Sequence, residues 1–447
     1  MPESSARLLE SGPDATRPLR GVRVLAIEQY GAGPFATLVL ADLGAEVIKI
    51  ELPEQGDVGR GIPPWTDGAD SLFFQSLNRG KRSVAVDLKE RRGRQLFERL
   101  VANSDAVFAN TRGLSPSKLR ITYADLARFN PAIVCAFLTG FGRAGPRADE
   151  PGYDYIVQAM SGMAALGGEP GGPPTRAGVS VVDFATGLAA ALGLLAGLHR
   201  ARTTGVGGDV DTSLLLTALN LTNYVSSWVL TRGFQPERLP HGAHPSVVPS
   251  QLFEASDGWL MVMSQTDAFF RELVKRMDLP EVLADARFGT MAGRLENREA
   301  LLGLLEARFR ERTVAQWLDR LEGAVPVAPV NDLPTALRER QVVETSMLVS
   351  FQHPTFGEVR QVAGPVQVSS PPPPPTPAPA LGADTWSVLH ALAGLDEDTF
   401  QELLADGVVA QAPSGSGGAG ENAEPTLDSD ERPVVTGART DRKRGRG

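Results

Sequence analysis

GVRVLAIEQYGAGPFATLVLADLGAEVIKIE, residues Gly21 to Glu51, carries the rhythm that decides the fold. Gly21 to Ile27 is an apolar run of strand length. Pro34 to Leu43 is an apolar segment of helical length with proline in its first turn, and Ala45 to Glu51 is a second strand. Strand, helix and strand in that order make a βαβ unit with parallel strands. The joining turn, GAGPFA from Gly31 to Ala36, formally fits the dinucleotide fingerprint, and Glu51 falls about twenty residues on, where a ribose-binding acid is expected. Such a turn offers backbone N–H groups to any phosphate-bearing or negatively charged ligand, so it supports a nucleotide-containing ligand more strongly than NAD. A tight turn with a purely structural purpose is the other reading.

Downstream the rhythm repeats. Asn78-Arg79-Gly80-Lys81-Arg82 leads to a strand, Ser83 to Asp87, and a helix, Arg91 to Val101; strand Ala106 to Phe108, a turn Asn110 to Pro116, helix Tyr123 to Phe129 and strand Ala132 to Leu138 follow. Alternation of this kind predicts an α/β fold with a doubly wound, mostly parallel sheet. Arg79, Lys81, Arg82 and Lys89 bracket the third strand, either as a solvated face or as cations placed to receive phosphates. The Gly/Pro-rich loop Thr139 to Gly152 leads to Tyr153-Asp154-Tyr155 and a helix from Ile156, which Asp154 can cap.

AGVSVVDFATG, Ala177 to Gly187, holds the most informative acid. An apolar run reaches Asp183, and the Ala/Leu/Gly segment Thr186 to His199 reads as a buried helix directly after it. Asp183 therefore sits at a helix entrance, where it can cap the first turn and where the dipole favours its ionised form. A plain N-cap and a catalytic carboxylate, with Asp154 as a second acid nearby, are both open on these residues.

Composition bounds the rest. At 447 residues the chain is long enough for roughly two or three domains. A net charge of −9 argues against nucleic-acid binding over the folded part. The single cysteine, Cys135, lies in an apolar run, which excludes an internal disulfide framework and suits a reducing cytoplasm. The first twenty or so residues have no signal-like apolar core, and Leu188 to Leu198 reads as too short to cross a membrane. Residues 1–18 read as a loose arm. Gly233 to Pro249, with HGAHP at His241 to Pro245, reads as a functional loop or hinge; two histidines without a cysteine or flanking acid give no metal site. Strands and helices between residues 251 and 330 suggest a smaller α+β domain. Residues 369–379 are a stiff proline-rich link, short helices follow, and 410–447 read as a disordered tail ending in basic residues.

With these residues in view the chain resembles the class III CoA-transferases, the CaiB/BaiF type that includes formyl-CoA, carnitine and bile-acid CoA-transferases and α-methylacyl-CoA racemase. The resemblance runs from about Leu19 to Val409. It rests on an ordered set: GPFATLVLADLGAEVIKIELPEQGD from Gly33, LNRGKRSVAVDLK from Leu77, GYDYIVQAMSG from Gly152, the Asp183 stretch, GVGGDVDTSLL from Gly205, HPSVVPSQLF from His244 and LGADT from Leu381.

The resemblance implies that Asp183 is the nucleophile, passing through a mixed anhydride and an aspartyl-CoA thioester, with Asp154 as an assisting carboxylate. It implies a coenzyme A thioester as substrate, with no bound cofactor or metal. CoA contacts would fall on Gly31, Ala32, Val86, Lys89, Asn110, Thr111, Arg112 and Lys118, with His241 and His244 in a substrate loop. The implied partners are an acyl-CoA donor, with succinyl-CoA as a candidate, and a carboxylic acid acceptor. The implied fold is a Rossmann-like large domain built from both chain ends, 19–225 and 331–409, with a linker and small domain at 226–330, in an interlocked homodimer. Here the sequence departs from its relatives at Ala109-Asn110-Thr111, where Glu-Asn-Phe is common, and at Leu52. Tyr153 stands where racemases carry a histidine base, which favours transfer over racemisation. An NAD(P) oxidoreductase using Gly31 to Ala36 and Glu51 is the alternative from another class, and a non-catalytic CoA-binding protein is the last.

Overall fold

The structure, a computed structural model, describes residues 17–370 and 372–413. The expected N-terminal arm therefore lies outside the described residues apart from Arg17 and Pro18, and most of the expected tail lies outside them too.

The central sheet begins with β1 (Arg23–Ile27), α1 (Ala32–Asp42) and β2 (Glu46–Glu51). After α2 (Leu72–Asn78) come β3 (Arg82–Val86), α3 (Arg91–Ala102), β4 (Ala106–Asn110) and β5 (Val134–Thr139). Helices α4 (Asp154–Met160) and α5 (Val181–Thr204) follow, with the short helix Met163–Leu166 between them, and then β6 (Gly208–Ser213). These six strands are parallel in the order β3-β2-β1-β4-β5-β6. Winding goes one way from β1 to β3 and the other way from β4 to β6, so the switch of direction falls between β1 and β4, where ligands of open α/β sheets bind. The inner strands β1, β4 and β5 are near-continuous apolar runs because helices cover both faces, and all six residues of β5 are buried, whereas the edge strand β6 is polar and partly exposed.

A short strand, Val409–Ala410, closes the β3 edge antiparallel, pairing Val409 with Val86 and Ala410 with Ala85. The chain's far end thus returns to the sheet, and ordered structure runs past the expected tail boundary at 410. Helix Thr385–Ala393 returns with it; Val388 and Leu389 join Leu96, Phe97 and Leu100 of α3 in one core, each buried side chain worth about 1.5–3 kcal/mol. The other face packs α1 and α5 on the sheet through Ala36, Val39, Leu40, Ala190, Leu194 and Leu198. A third, separate core from Val248 to Val325 surrounds Phe253, Phe309 and Trp317, with an antiparallel three-stranded sheet.

Beyond β6 the chain forms helices, among them Leu214–Leu221 and Asn223–Arg232, and Met291–Glu296 and Arg298–Phe309, which meet at Asn297. One expectation is corrected. The Leu188 to Leu198 segment belongs to α5, whose 24 residues are long and apolar enough to span a membrane, but half of that span is buried in the interior. Its buried face packs against α1 and the sheet. The described residues of the proline-rich link form no helix or strand and are held by hydrogen bonds: Ala378 N–H donates to Gln75 Oε1 at 2.9 Å and Pro379 O accepts from Arg60 at 3.1 Å.

Candidate active site

The loop leaving β1 runs Glu28-Gln29-Tyr30-Gly31 and is floored by buried charge. Lys81 Nζ lies 2.7 Å from Glu28 Oε1, Lys49 Nζ lies 2.7 Å from Asp57 Oδ2 and 3.0 Å from the Glu28 carbonyl, and Thr37 Oγ1 donates to Glu28. All four charged side chains are fully enclosed. Burial pulls the Lys81 ammonium down to about 8 although Glu28 opposes it. Burial also pulls on Lys49, but Glu28, Asp57 and Glu51 overcome it and hold that group above its ordinary value. Asp57 Oδ1 accepts the N–H of Tyr30 at 2.9 Å, which fixes Tyr30 at a left-handed φ of 69° and turns Gly31 toward α5.

There Gly31 meets Asp183. A Cβ on Gly31 would stand 3.1 Å from Asp183 Oδ2, so only glycine leaves that carboxylate uncrowded. Phe35 of α1 packs on Phe184 of α5 with ring centroids 4.9 Å apart, holding the two helix starts together. Asp183 is 7% exposed and, among the described residues, no hydrogen bond to its carboxylate is formed. Burial, and then the neighbouring Asp154 charge, push it up to about 7. The expected N-cap role is corrected: α5 starts at Val181, Asp183 lies inside the first turn, and its backbone N–H donates to Asp154 Oδ2 at 2.9 Å. Asp154, read as a cap for its own helix, caps the helix of the other acid, so the dipole does not dominate the state of Asp183.

The remaining expected site residues divide. Ala32 and Val86 are buried, and Gly31 lines the carboxylate. Asn110 is structural as well as near the site: its side chain accepts from Gln29 N–H and donates to Gln29 O, both at 2.8 Å, pinning β4 to the β1 loop across the switch of winding direction. It fills the space left by Gly33, whose Cβ would come within 2.5 Å of Asn110 Cγ. Thr111 and Arg112 follow it in the loop, and Lys118 pairs with exposed Asp149 at 3.1 Å. Lys89 and Arg112 are exposed, and neither side chain has an ion pair among the described residues. Arg79, Lys81 and Arg82 do not form a phosphate edge: Arg79 pairs with Asp42, Lys81 with Glu28, and Arg82 with Glu46 and Asp384. Glu51 does not await a ribose, because Arg60 grips it at 2.8 Å and Ser83 Oγ donates to it at 2.7 Å.

The histidines sit in turns. His244 Nδ1 accepts N–H bonds from Ser246 and Val247 and its ring stacks on Tyr224; burial, then Arg298, hold it below its ordinary value. His241 donates its backbone N–H to Glu169, and Arg238 donates to the Ala165 and Gly172 carbonyls. The 233–249 segment thus lies on the loop leading to Asp183. Glu28, Lys49, Asp57 and Gln158 were missed by sequence reasoning. Only Lys49 carried a signal, a lysine inside the β2 run Glu46-Val47-Ile48-Lys49-Ile50 that is buried on both faces and so demands a partner.

The geometry leaves one nearly buried, unbonded carboxylate at the ligand-binding edge of the sheet. Comparison with known proteins then decides the family: the profile of CoA-transferase family III matches residues 19–385. The chain belongs to CoA-transferase family III. Similar curated members include succinyl-CoA:glutarate CoA-transferase of Mus musculus, 36% identical over 90% of this chain and 92% of the mouse protein, and that of Homo sapiens, 34% identical over the same shares. Acetyl-CoA:oxalate CoA-transferase of Acetobacter aceti is 35% identical over 79% of this chain and 89% of its own. Among solved structures, a CAIB/BAIF family protein from Brucella suis is 31% identical with a TM-score of 0.72, covering 84% of this chain and 99% of its own. The protein is therefore a class III CoA-transferase, an enzyme that moves CoA from an acyl-CoA to a carboxylic acid. This sets aside the oxidoreductase reading, in agreement with the occupied Glu51.

Proposed function

We propose that Asp183 is the nucleophile of this CoA-transferase and that succinyl-CoA and a dicarboxylate of the glutarate class are its donor and acceptor. The observation that carries the reading is the Asp183 carboxylate itself, 7% exposed, accepting no hydrogen bond and bordered by Gly31. A carboxylate without donors keeps its lone pairs for attack. The substrate pair is supported by the names of the mouse, human and Agrobacterium fabrum relatives, all succinyl-CoA or succinate and glutarate transferases.

Asp183 attacks the donor thioester carbonyl, forming a mixed anhydride and releasing CoA thiolate. The thiolate attacks the Asp183 carbonyl, giving an aspartyl-CoA thioester and free succinate. The acceptor carboxylate attacks that thioester, again releasing thiolate, which takes the acyl group and restores Asp183. Each step exchanges one acyl bond for another, so no net proton or electron is needed. Lys89, Arg112 and Lys118 offer cations to the CoA phosphates, and Gly31, Ala32, Val86, Asn110 and Thr111 border the CoA path. The 233–249 segment with His241 and His244 shapes the acceptor pocket.

A second copy of the chain completes the site in this reading. Leu188 and Leu192 of α5, Ile156 of α4, Leu216 and Leu230 are 39–86% exposed, a surface more apolar than a monomer normally leaves in water. An interlocked homodimer covers it, with 19–225 and 331–409 as the large domain and 226–330 between. We place the enzyme in the cytoplasm, consistent with one buried thiol, Cys135, whose ionisation burial opposes.

The test is intact-protein mass after brief exposure to succinyl-CoA. A gain of CoA less water, absent in Asp183→Ala and discharged by glutarate, supports the reading; no gain from any acyl-CoA donor overturns it.

A further inference from the structure

Gln158 lies one turn after Asp154 on α4 and is only 1% exposed. Its amide is fully engaged. Nε2 donates to Asp154 Oδ1 at 2.5 Å and reaches the Val179 carbonyl at 3.5 Å, while Oε1 accepts the N–H of Ala177 at 2.9 Å. Asp154 uses its other oxygen, Oδ2, to accept the N–H of Asp183. One amide and one carboxylate, four residues apart on one helix face, therefore grip the segment 177–183 at both ends.

That segment has little else to fix it. Val179 is 61% exposed and Gly178 is exposed, so apolar burial begins only at Val182. Polar ties must define its path, and all of those from α4 run through Gln158 and Asp154. The tie also has a chemical requirement. The position needs one donor aimed at a carboxylate and one acceptor aimed at an N–H from the same side-chain end, which an amide supplies at every pH. An ionised glutamate has no donor and repels Asp154; leucine has neither group. The charged groups around the pair are Asp154 on α4, Asp183 on α5 and Arg176 in the intervening loop, which lies 3.8 Å over the Tyr155 ring. The helices Met163–Leu166 and Leu214–Leu221 packed on α4 carry no charged side chain.

We propose that Gln158 is a positioning residue for acyl transfer: it fixes the Asp154 carboxylate and the 177–180 path together, and through them the placement of the Asp183 carboxylate. The inference rests on Asp183 being the nucleophile. During the cycle Asp183 loses its charge in the anhydride and thioester while Asp154 stays bonded to its backbone N–H, so the held segment keeps the reacting carbonyl in register for each successive attack.

The experiment compares the full-length wild type, Gln158→Leu and Gln158→Glu in single-turnover formation of the Asp183–CoA thioester, read by quenched intact mass, with KM for succinyl-CoA and Tm measured in parallel across pH 5–9. Gln158→Leu is expected to slow thioester formation about 10–100-fold while KM changes less than about twofold. Gln158→Glu is expected to keep most of the wild-type rate at each pH where the added acid is protonated, supplying the same donor and acceptor, and to fall behind the wild type as pH rises, a descending limb, absent from the wild type, superimposed on the rising Asp183 limb. A Gln158→Leu variant with wild-type rate and pH profile overturns the proposal. So does a parallel fall of rate, affinity and Tm in both variants with no pH-dependent rescue in Gln158→Glu, which assigns Gln158 to folding alone. A wild type that forms no Asp183-dependent adduct overturns the nucleophile reading first and this inference with it.

Discussion

Asp154 Oδ2 accepts the backbone N–H of Asp183 at 2.9 Å, so the carboxylate of one acid caps the helix that carries the other. The contact ties together two effects usually separable: it satisfies an N-terminal donor of α5, and it holds a negative charge beside the carboxylate proposed as the nucleophile.

The pH dependence of the rate follows. In the proposed reaction Asp183 attacks as the carboxylate, and burial with Asp154 push it up to about 7. Single-turnover thioester formation should therefore rise with pH through a limb near 7. In Asp154→Asn, which removes the neighbouring charge, the limb should move to lower pH. A pH–rate profile of both proteins checks this, and an unmoved limb would mean the Asp154 charge does not reach Asp183.

Stability should show the opposite sign. The folded value of Asp183 lies above the unfolded value near 4, so the folded state holds its proton more tightly and loses stability as pH rises from about 4 to 7. Asp183→Asn escapes that loss. Its stability should match wild type near pH 4 and exceed it at pH 8 by on the order of 2–4 kcal/mol, which appears as a higher Tm. Thermal melts at the two pH values decide.

Gly31 and Gly33 should respond differently to alanine. The added methyl at Gly31 presses on Asp183 Oδ2 at 3.1 Å, and the φ of −105° accepts alanine, so the rate should fall about tenfold with Tm nearly unchanged. At Gly33 the methyl meets Asn110 within 2.5–2.8 Å and must displace it, costing about 1–3 kcal/mol in denaturant unfolding.

The buried ions beneath the Tyr30 turn should be intolerant of single removals. Lys81→Met leaves Glu28 without its 2.7 Å partner in an enclosed site and should cost about 3–5 kcal/mol, measured by denaturant unfolding.

Lys89 and Arg112 lie exposed at the sheet edge without ion-pair partners among the described residues. Their alanine variants should raise KM for succinyl-CoA severalfold while leaving Tm unchanged, and the effect should shrink at high salt. Initial rates at two ionic strengths measure it.

The sequence by itself determined the sheet and singled out Asp183 as the candidate reacting group. The alternation from Gly21 to Leu138 is a local, periodic signal, and β1, α1 and β2 appear within a residue or two of where that period puts them. Asp183 stood out through the ordered motifs around it. Tertiary structure alone decided what each charge does. Arg79, Lys81, Arg82 and Glu51 look like ligand-binding residues in the linear chain, yet each has an internal partner brought from another segment, Ser83 in the case of Glu51. Asp154 and Gln158 reach Asp183 and Ala177 across about twenty to thirty residues of chain, by bonds that no periodicity encodes. Apolar patterning records only whether a side chain is buried. The partner and ionisation state of a buried polar group depend on distances of a few ångströms between segments, which exist only once the chain has folded.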